Sequence, residues 1–408
     1  MDKEKREDLL WALSPMFKIN TFTGISPFAV ERNAKPRRWT VTLHYLLFTL
    51  LVFLSAFNCF RFVIQSTSYD QSESETKYVR LVWSTTDLVA GILCAYIHLL
   101  KQRRVRRVFL DVVQLGEMLP EDALCASRIR RSVQIQSVLF ISMALNSAMI
   151  SFWISKLFGF AATGMHIFFT QYFLLVHIQS VWQFYVAIFL LRKCFAALNF
   201  EIRSMILESI LRERLFHGLK QPSLSEDLSL LRKVHLRACE ASKSAASVYG
   251  IQIVLLAFYN VLRICFTLYS CVDSKVFRIS DEFDLPLKID LSSWIITHSA
   301  LQFLVVYATE KLYGQSDKTG KLVSEMILKV KDHRIRRELH LFSLQLLHTK
   351  FHFTACGFFP LDFTLLTSMA AAVVTYLVIL VQFQESEKAV TKLSCNCSHN
   401  ILTENGTM

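Results

Sequence analysis

Apolar runs of roughly 20 residues alternate with short charged blocks along almost the whole chain, the length a helix needs to cross the roughly 30 Å hydrocarbon core of a bilayer. Seven runs qualify: Trp39–Phe60, Tyr78–Leu100, Val133–Ile154, Ile167–Leu191, Ala246–Ser270, Asp290–Ala308 and Asp362–Gln384. The pattern predicts an all-α membrane protein with seven transmembrane helices. The chain divides accordingly: a polar segment over 1–38, spans one to four within 39–191, a helical extension over 192–245, spans five and six within 246–308, a second helical segment over 309–361, the last span at 362–384 and a tail over 385–408.

The polar segments carry their own periodicity. Leu224, Leu228, Leu231 and Ala238 fall on one helix face, as do Val323, Ile327, Val330 and Leu339 within Lys321 to Leu347. Such stripes predict packed helices outside the membrane rather than loose loops. Gly218 and Pro222 mark a break before the first stripe, and the segment Cys356-Gly357-Phe358-Phe359-Pro360-Leu361-Asp362 marks another before the last span. Near the start, Leu9 to Leu13 is too short for a signal core, and the run Leu9 to Phe17 is expected to lie at the membrane surface.

Charge sets the orientation. Of the 45 Lys and Arg, 35 lie in the N-terminal segment and the second–third, fourth–fifth and sixth–seventh loops, and nine on the opposite side. Positive residues collect on the cytoplasmic face, so the N-terminus is expected inside and the C-terminus outside. Both N-glycosylation sequons, at Asn396 and Asn405, fall in the tail that this orientation places outside. The net charge of +12 sits in these juxtamembrane blocks, so it points to lipid rather than nucleic acid. No His, Cys and carboxylate cluster has metal-ligand spacing, no glycine-rich phosphate loop occurs, and neither an enzyme nor a cofactor is expected. Most cysteines are expected to be reduced; an outer disulfide among Cys59, Cys271, Cys395 and Cys397 stays open.

Polar residues inside the spans mark the candidate chemistry. Asp87, Asn146, Gln179, Arg263 and His298 come from five different spans and lie roughly 10–18 Å below the outer surface at 1.5 Å per residue. Charged groups at that depth face a bundle interior or a cavity. Trp83, Tyr259 and Trp294 sit one turn from Asp87, Arg263 and His298, and aromatics beside hydrogen-bonding groups suit a small polar or amphiphilic ligand. A structural Asp87–Arg263 ion pair without ligand contact is the competing account.

The last span ends in Thr375-Tyr376, five apolar residues, then Gln382-Phe383. This spacing resembles the terminal signature of insect gustatory receptors, relatives of the insect olfactory receptors, and the length, span count and orientation extend the resemblance to the whole chain. The resemblance implies a tastant-gated, nonselective cation channel of four subunits, a homo-oligomer or a hetero-oligomer with related receptors. It also implies that the seventh span lines the pore, that the cytoplasmic helices anchor the subunits together, and that the protein sits in the plasma membrane of a sensory dendrite. On such a pore helix, Thr375, Ile379 and Gln382 share one face with Phe383 adjacent, so Phe383 rings would close the path by excluding water and Gln382 amides would hydrate a passing cation. A seven-helix metabotropic chemoreceptor or a transporter is the alternative.

Overall fold

Apolar sequence of this density leaves helices as the way to satisfy the backbone in lipid, and the protein, seen in a computed structural model, is built from long helices. The structure describes residues 2–23, 46, 49–50, 52–54, 57, 74–120, 124–158, 160–215, 223–272, 281–349 and 351–404. The helices are α1 (Asp2–Phe22), α2 (Ser74–Glu117), α3 (Ala126–Phe158), α4 (Phe160–Leu215), α5 (Ser223–Val272), α6 (Asp281–Lys329), α7 (His333–His348) and α8 (Phe363–Glu404). Most of the first expected span lies outside the described residues. Four described helices, α3, α4, α5 and α8, are long and apolar enough to cross a membrane.

Several helices outrun the bilayer. α4 has 56 residues, about 84 Å at the standard rise, so it carries the fourth span and the segment beyond it as one rod. α5 and α6 do the same. α4 is the centre of the bundle, packed on α2, α3, α5 and α6. Its span is 83% buried within the chain, against 28% for α3 and 11% for α8. The apolar surface of α3 and α8 is therefore left for lipid or for other chains, whereas that of α4 is used internally.

Beyond the spans, the extensions of α4, α5 and α6 form a small bundle closed by α7. Its core is aromatic: Phe195 meets His235 edge-on at 5.7 Å, and His235 meets Phe342 at 5.5 Å. Polar ties hold the rods in register. Asn199 Nδ2 donates to the Gln315 carbonyl at 2.8 Å, Thr319 Oγ1 donates to Asn199 Oδ1 at 2.7 Å, and Gln345 Nε2 donates to the Arg232 carbonyl at 3.0 Å. The helix expected from Lys321 to Leu347 is two helices. Asp332 leaves the helical conformation and its carboxylate caps α7 at Arg334 N, 2.8 Å away. A free Asp carboxylate competes with the backbone ladder in this way, which favours a cap over helix interior.

α1 also departs from expectation. Leu9, Leu13, Met16 and Phe17 are buried against α2 and α3 instead of being offered to the membrane surface. The Arg130 guanidinium lies 3.8 Å from the Trp11 ring centroid and donates to the Trp11 carbonyl at 2.9 Å. The cation–π contact and the hydrogen bond from the same guanidinium tie the helix to protein.

The segment before the last span folds as a two-stranded hairpin, β1 (Thr354–Ala355) paired antiparallel with β2 (Phe359–Pro360). Cys356 and Gly357 turn it with φ of 53° and 81°. The hairpin is braced by α6: Tyr313 exchanges hydrogen bonds with the backbone N–H and carbonyl of Phe353, and Thr309 Oγ1 donates to the Leu361 carbonyl at 2.6 Å. Burial pushes the Tyr313 phenol up to about 12, so it stays a neutral hydroxyl. Gly250 of α5 lets the turn approach closely: a Cβ there would lie 3.1 Å from Cys356 N and 3.2 Å from Cys356 Sγ. From this brace α8 starts with Asp362 capping Thr364 N at 2.9 Å. It does not stop at Gln384 but continues as helix to Glu404.

Candidate functional site

Four of the eight candidate ligand residues meet in one place. On α6, Trp294 and His298 are one turn apart, so they share a face; their rings stack with centroids 5.5 Å apart and planes at 14°. α5 brings Tyr259 edge-on to His298 at 4.8 Å and sets the Arg263 guanidinium 5.2 Å from the Trp294 ring centroid. All four are buried.

His177 of α4 completes the cluster, stacked on Tyr259 at 6.1 Å and edge-on to His298 at 6.2 Å. The sequence reading passed over it in favour of Gln179. Two further polar residues are buried on the same helices: Asn260 follows Tyr259, and Gln302 lies one turn beyond His298. The spacing Trp294, His298, Gln302 is a polar–aromatic stripe at four-residue intervals, the signal that would have added Gln302.

The hydrogen-bond state of this cluster is unusual for a buried interior. Both ring nitrogens of His298, both amide atoms of Gln302 and Asn260 Oδ1 are inaccessible and have no hydrogen-bond partner among the described residues. Buried polar atoms are nearly always paired, because leaving one unpaired costs about 1–3 kcal/mol. Such a set of donors and acceptors, walled by Trp294, Tyr259 and His177, has the chemistry to receive a small polar molecule.

The other candidate residues are placed elsewhere, so the single outer layer expected from depth is divided. Helix depth gives height but not azimuth. Asn146 lines a groove of about 470 Å³ between α3 and α6, beside Lys288, Ser292, Ser293 and Thr297. Gln179 turns toward α1: Thr23 Oγ1 donates to its Oε1 at 2.9 Å, and its Nε2 donates to Asn20 Oδ1. The side chains of Trp83 and Asp87 lie outside the described residues, although both positions are in α2.

On α8, Thr375, Ile379 and Gln382 are exposed along one face, and the Thr375 hydroxyl is returned to the Ala371 carbonyl at 2.9 Å. The side chain of Phe383 lies outside the described residues. Asn396 falls within α8, and Asn405 is outside the described residues. Among the described residues, no group of three or more His, Cys, Asp or Glu is arranged to hold a metal ion.

The chain matches the family described as 7tm Chemosensory receptor over residues 13–387. Among proteins of Drosophila melanogaster, Gustatory receptor 23a is 39% identical over 104 residues, covering 25% of this chain and 28% of that one. Gustatory receptor for bitter taste 66a is 25% identical over 179 residues, covering 41% and 33%. Gustatory receptor for sugar taste 43a is 38% identical over 93 residues, covering 23% and 22%. The matched stretches thus span a third or less of these relatives' own lengths. The structure of the insect olfactory receptor OR5 from Machilis hrabei in complex with eugenol is similar in fold, with a TM-score of 0.67 over 93% of this chain and 99% of that one, at 14% identity.

Proposed function

The chain belongs to the 7tm chemosensory receptor family, and on that premise we propose that it is a gustatory receptor working as a tastant-gated, nonselective cation channel. Four subunits surround a central path lined by α8, with Thr375, Ile379 and Gln382 facing the path and Phe383 closing it. The buried cluster of Tyr259, Arg263, Trp294 and His298, joined by His177, Asn260 and Gln302, receives the tastant, with Trp83 and Asp87 of α2 as further contacts. The chain works in the plasma membrane, with glycosylation at Asn396 and Asn405 on the outer side.

The observation that carries this reading is the condition of α8. It is the most apolar of the candidate spans, yet only 11% of it is buried within the chain. Val374, Tyr376, Val378 and Ile379 are all exposed, which covers a wide arc of the helix. Lipid can cover apolar residues, but the exposed amide of Gln382 on the same helix calls for water or another polar surface. A central water-filled path between copies supplies that surface.

Mechanistically, ligand polar groups pair the nitrogens of His298 and the amide of Gln302, which favours whichever arrangement of α5 and α6 best presents them. Both helices touch the hairpin that precedes α8, α5 through Gly250 and α6 through Thr309 and Tyr313. A shift of either helix therefore reaches the start of the pore helix through direct contacts. The test is electrical. Cells expressing this chain alone are recorded over a panel of sugars, nucleosides and alkaloids, and the winning agonist is repeated on Phe383→Ala and Gln382→Glu. Phe383→Ala should raise basal current, and Gln382→Glu should raise divalent permeability, with the agonist dose range shifted by no more than a few fold. Unchanged basal current and selectivity in both variants would remove α8 from the pore.

A further inference from the structure

A second cavity lies apart from the cluster around His298, in the angle between α1, α3 and α4. It measures about 490 Å³, within the range of small-molecule sites. Its walls are mainly apolar, from Phe140 and Leu145 of α3 to Leu174 and Ile178 of α4, and among the described residues no charged side chain lines it. Ile141 and Leu145 form part of the wall and are at the same time exposed on the outer side of α3. The cavity is therefore reached sideways, from the hydrocarbon.

The two side-chain amides of the wall are hydrogen-bonded within the protein. Gln171 donates to Ser151 Oγ at 2.5 Å and accepts from Ser147 Oγ at 3.2 Å. Gln179 is held by Thr23 and Asn20. Trp182 also lines the cavity and is 2% exposed, and its Nε1–H has no acceptor among the described residues. An indole N–H is a donor only, and a buried Trp ordinarily finds a partner for it.

We propose that this cavity is a binding site for a neutral, membrane-dissolved molecule with one acceptor oxygen, an aliphatic or alicyclic alcohol or ketone, whose oxygen accepts from Trp182 Nε1–H. Depth selects the occupant. Trp182 is nine residues above Leu191, about 14 Å from the inner end of the fourth span. A phospholipid headgroup does not reach that depth, because a charged group there is too costly. A neutral hydroxyl or carbonyl does, once its one hydrogen bond is supplied. The described wall residues, none of them charged, point the same way. The site lies on helix faces other than those carrying His298, so it stands whether or not the tastant reading of that cluster holds.

The experiment uses the full chain in phosphatidylcholine nanodiscs and needs no current. A diazirine-tagged decanol is photolysed with the protein, and labelled peptides are mapped by mass spectrometry. Labels should fall within 140–148 and 174–182, and decan-1-ol should compete with the probe whereas n-decane should not. Ala144→Phe should cut labelling about tenfold by filling the cavity. Trp182→Phe, which keeps a ring and removes the donor, should weaken decanol competition about fivefold, the equivalent of one hydrogen bond. Ala148→Leu replaces Ala144→Phe if the latter does not fold. Labels confined to other segments, equal competition by decane on the wild-type chain, or stronger labelling of these segments by a diazirine-tagged phospholipid acyl chain would each overturn the proposal.

Discussion

Replacing His298 by Phe should move stability and response in opposite directions. Phe keeps an aromatic ring between Trp294, stacked at 5.5 Å, and Tyr259, edge-on at 4.8 Å. It deletes two ring nitrogens that are buried without partners among the described residues. Removing one unpaired buried polar group regains about 1–3 kcal/mol of desolvation cost. The ligand-free protein should therefore resist heat better than the wild type by a gain of that order, read in detergent by fluorescence-detected size-exclusion after heating. The agonist loses up to two hydrogen bonds worth about 0.5–1.5 kcal/mol each. The dose–response midpoint should then rise by between about twofold and 150-fold, since 1.4 kcal/mol is a factor of ten. A drop in heat resistance would mean that the nitrogens are already paired in the folded protein. A rise in heat resistance with an unchanged midpoint would mean that the cluster is core and not the tastant site.

Other outcomes follow from single contacts. Gly250→Ala places a Cβ 3.1 Å from a backbone nitrogen of the hairpin turn, an overpacking that costs about 1–3 kcal/mol; agonist midpoint or basal current should change at normal surface expression, and unchanged values for both would uncouple α5 from the turn. Cys125 is held down to about 7, chiefly by a side-chain hydrogen bond with Ser127 and with help from Arg128. Because the thiolate is the reactive form, its alkylation by iodoacetamide should reach half its maximal rate near pH 7 instead of about pH 8.5, and mass spectrometry of Cys125 peptides across pH reads this. A C-terminal tag should stain on unpermeabilised cells and an N-terminal tag should not, while Asn396→Gln should remove a glycosidase-sensitive shift; the reverse staining would overturn the orientation and the pore together.

Length and hydropathy sufficed for the fold class, because a spanning helix satisfies its own backbone and needs only an apolar surface of sufficient length. They also exposed Gln382 as an amide out of place, and the break at Cys356–Asp362. Helix period placed Trp294 and His298 on one face, which is why that pair was legible in advance. What the sequence by itself did not hold was the azimuth of one helix against another. Asn146, Gln179 and His298 have similar depths, yet the packing of α3, α4 and α6 sends them to a lateral groove, to α1 and to the aromatic cluster. His177 went unread because its value depends on Tyr259 and His298, residues on other helices. The burial of Leu13 and Met16, and the approach of Cys356 to Gly250, were likewise decided only by which surfaces the tertiary fold brings within van der Waals reach. Period fixes which residues share a face, but the free energy of packing, summed over distant pieces of chain, decides what that face meets.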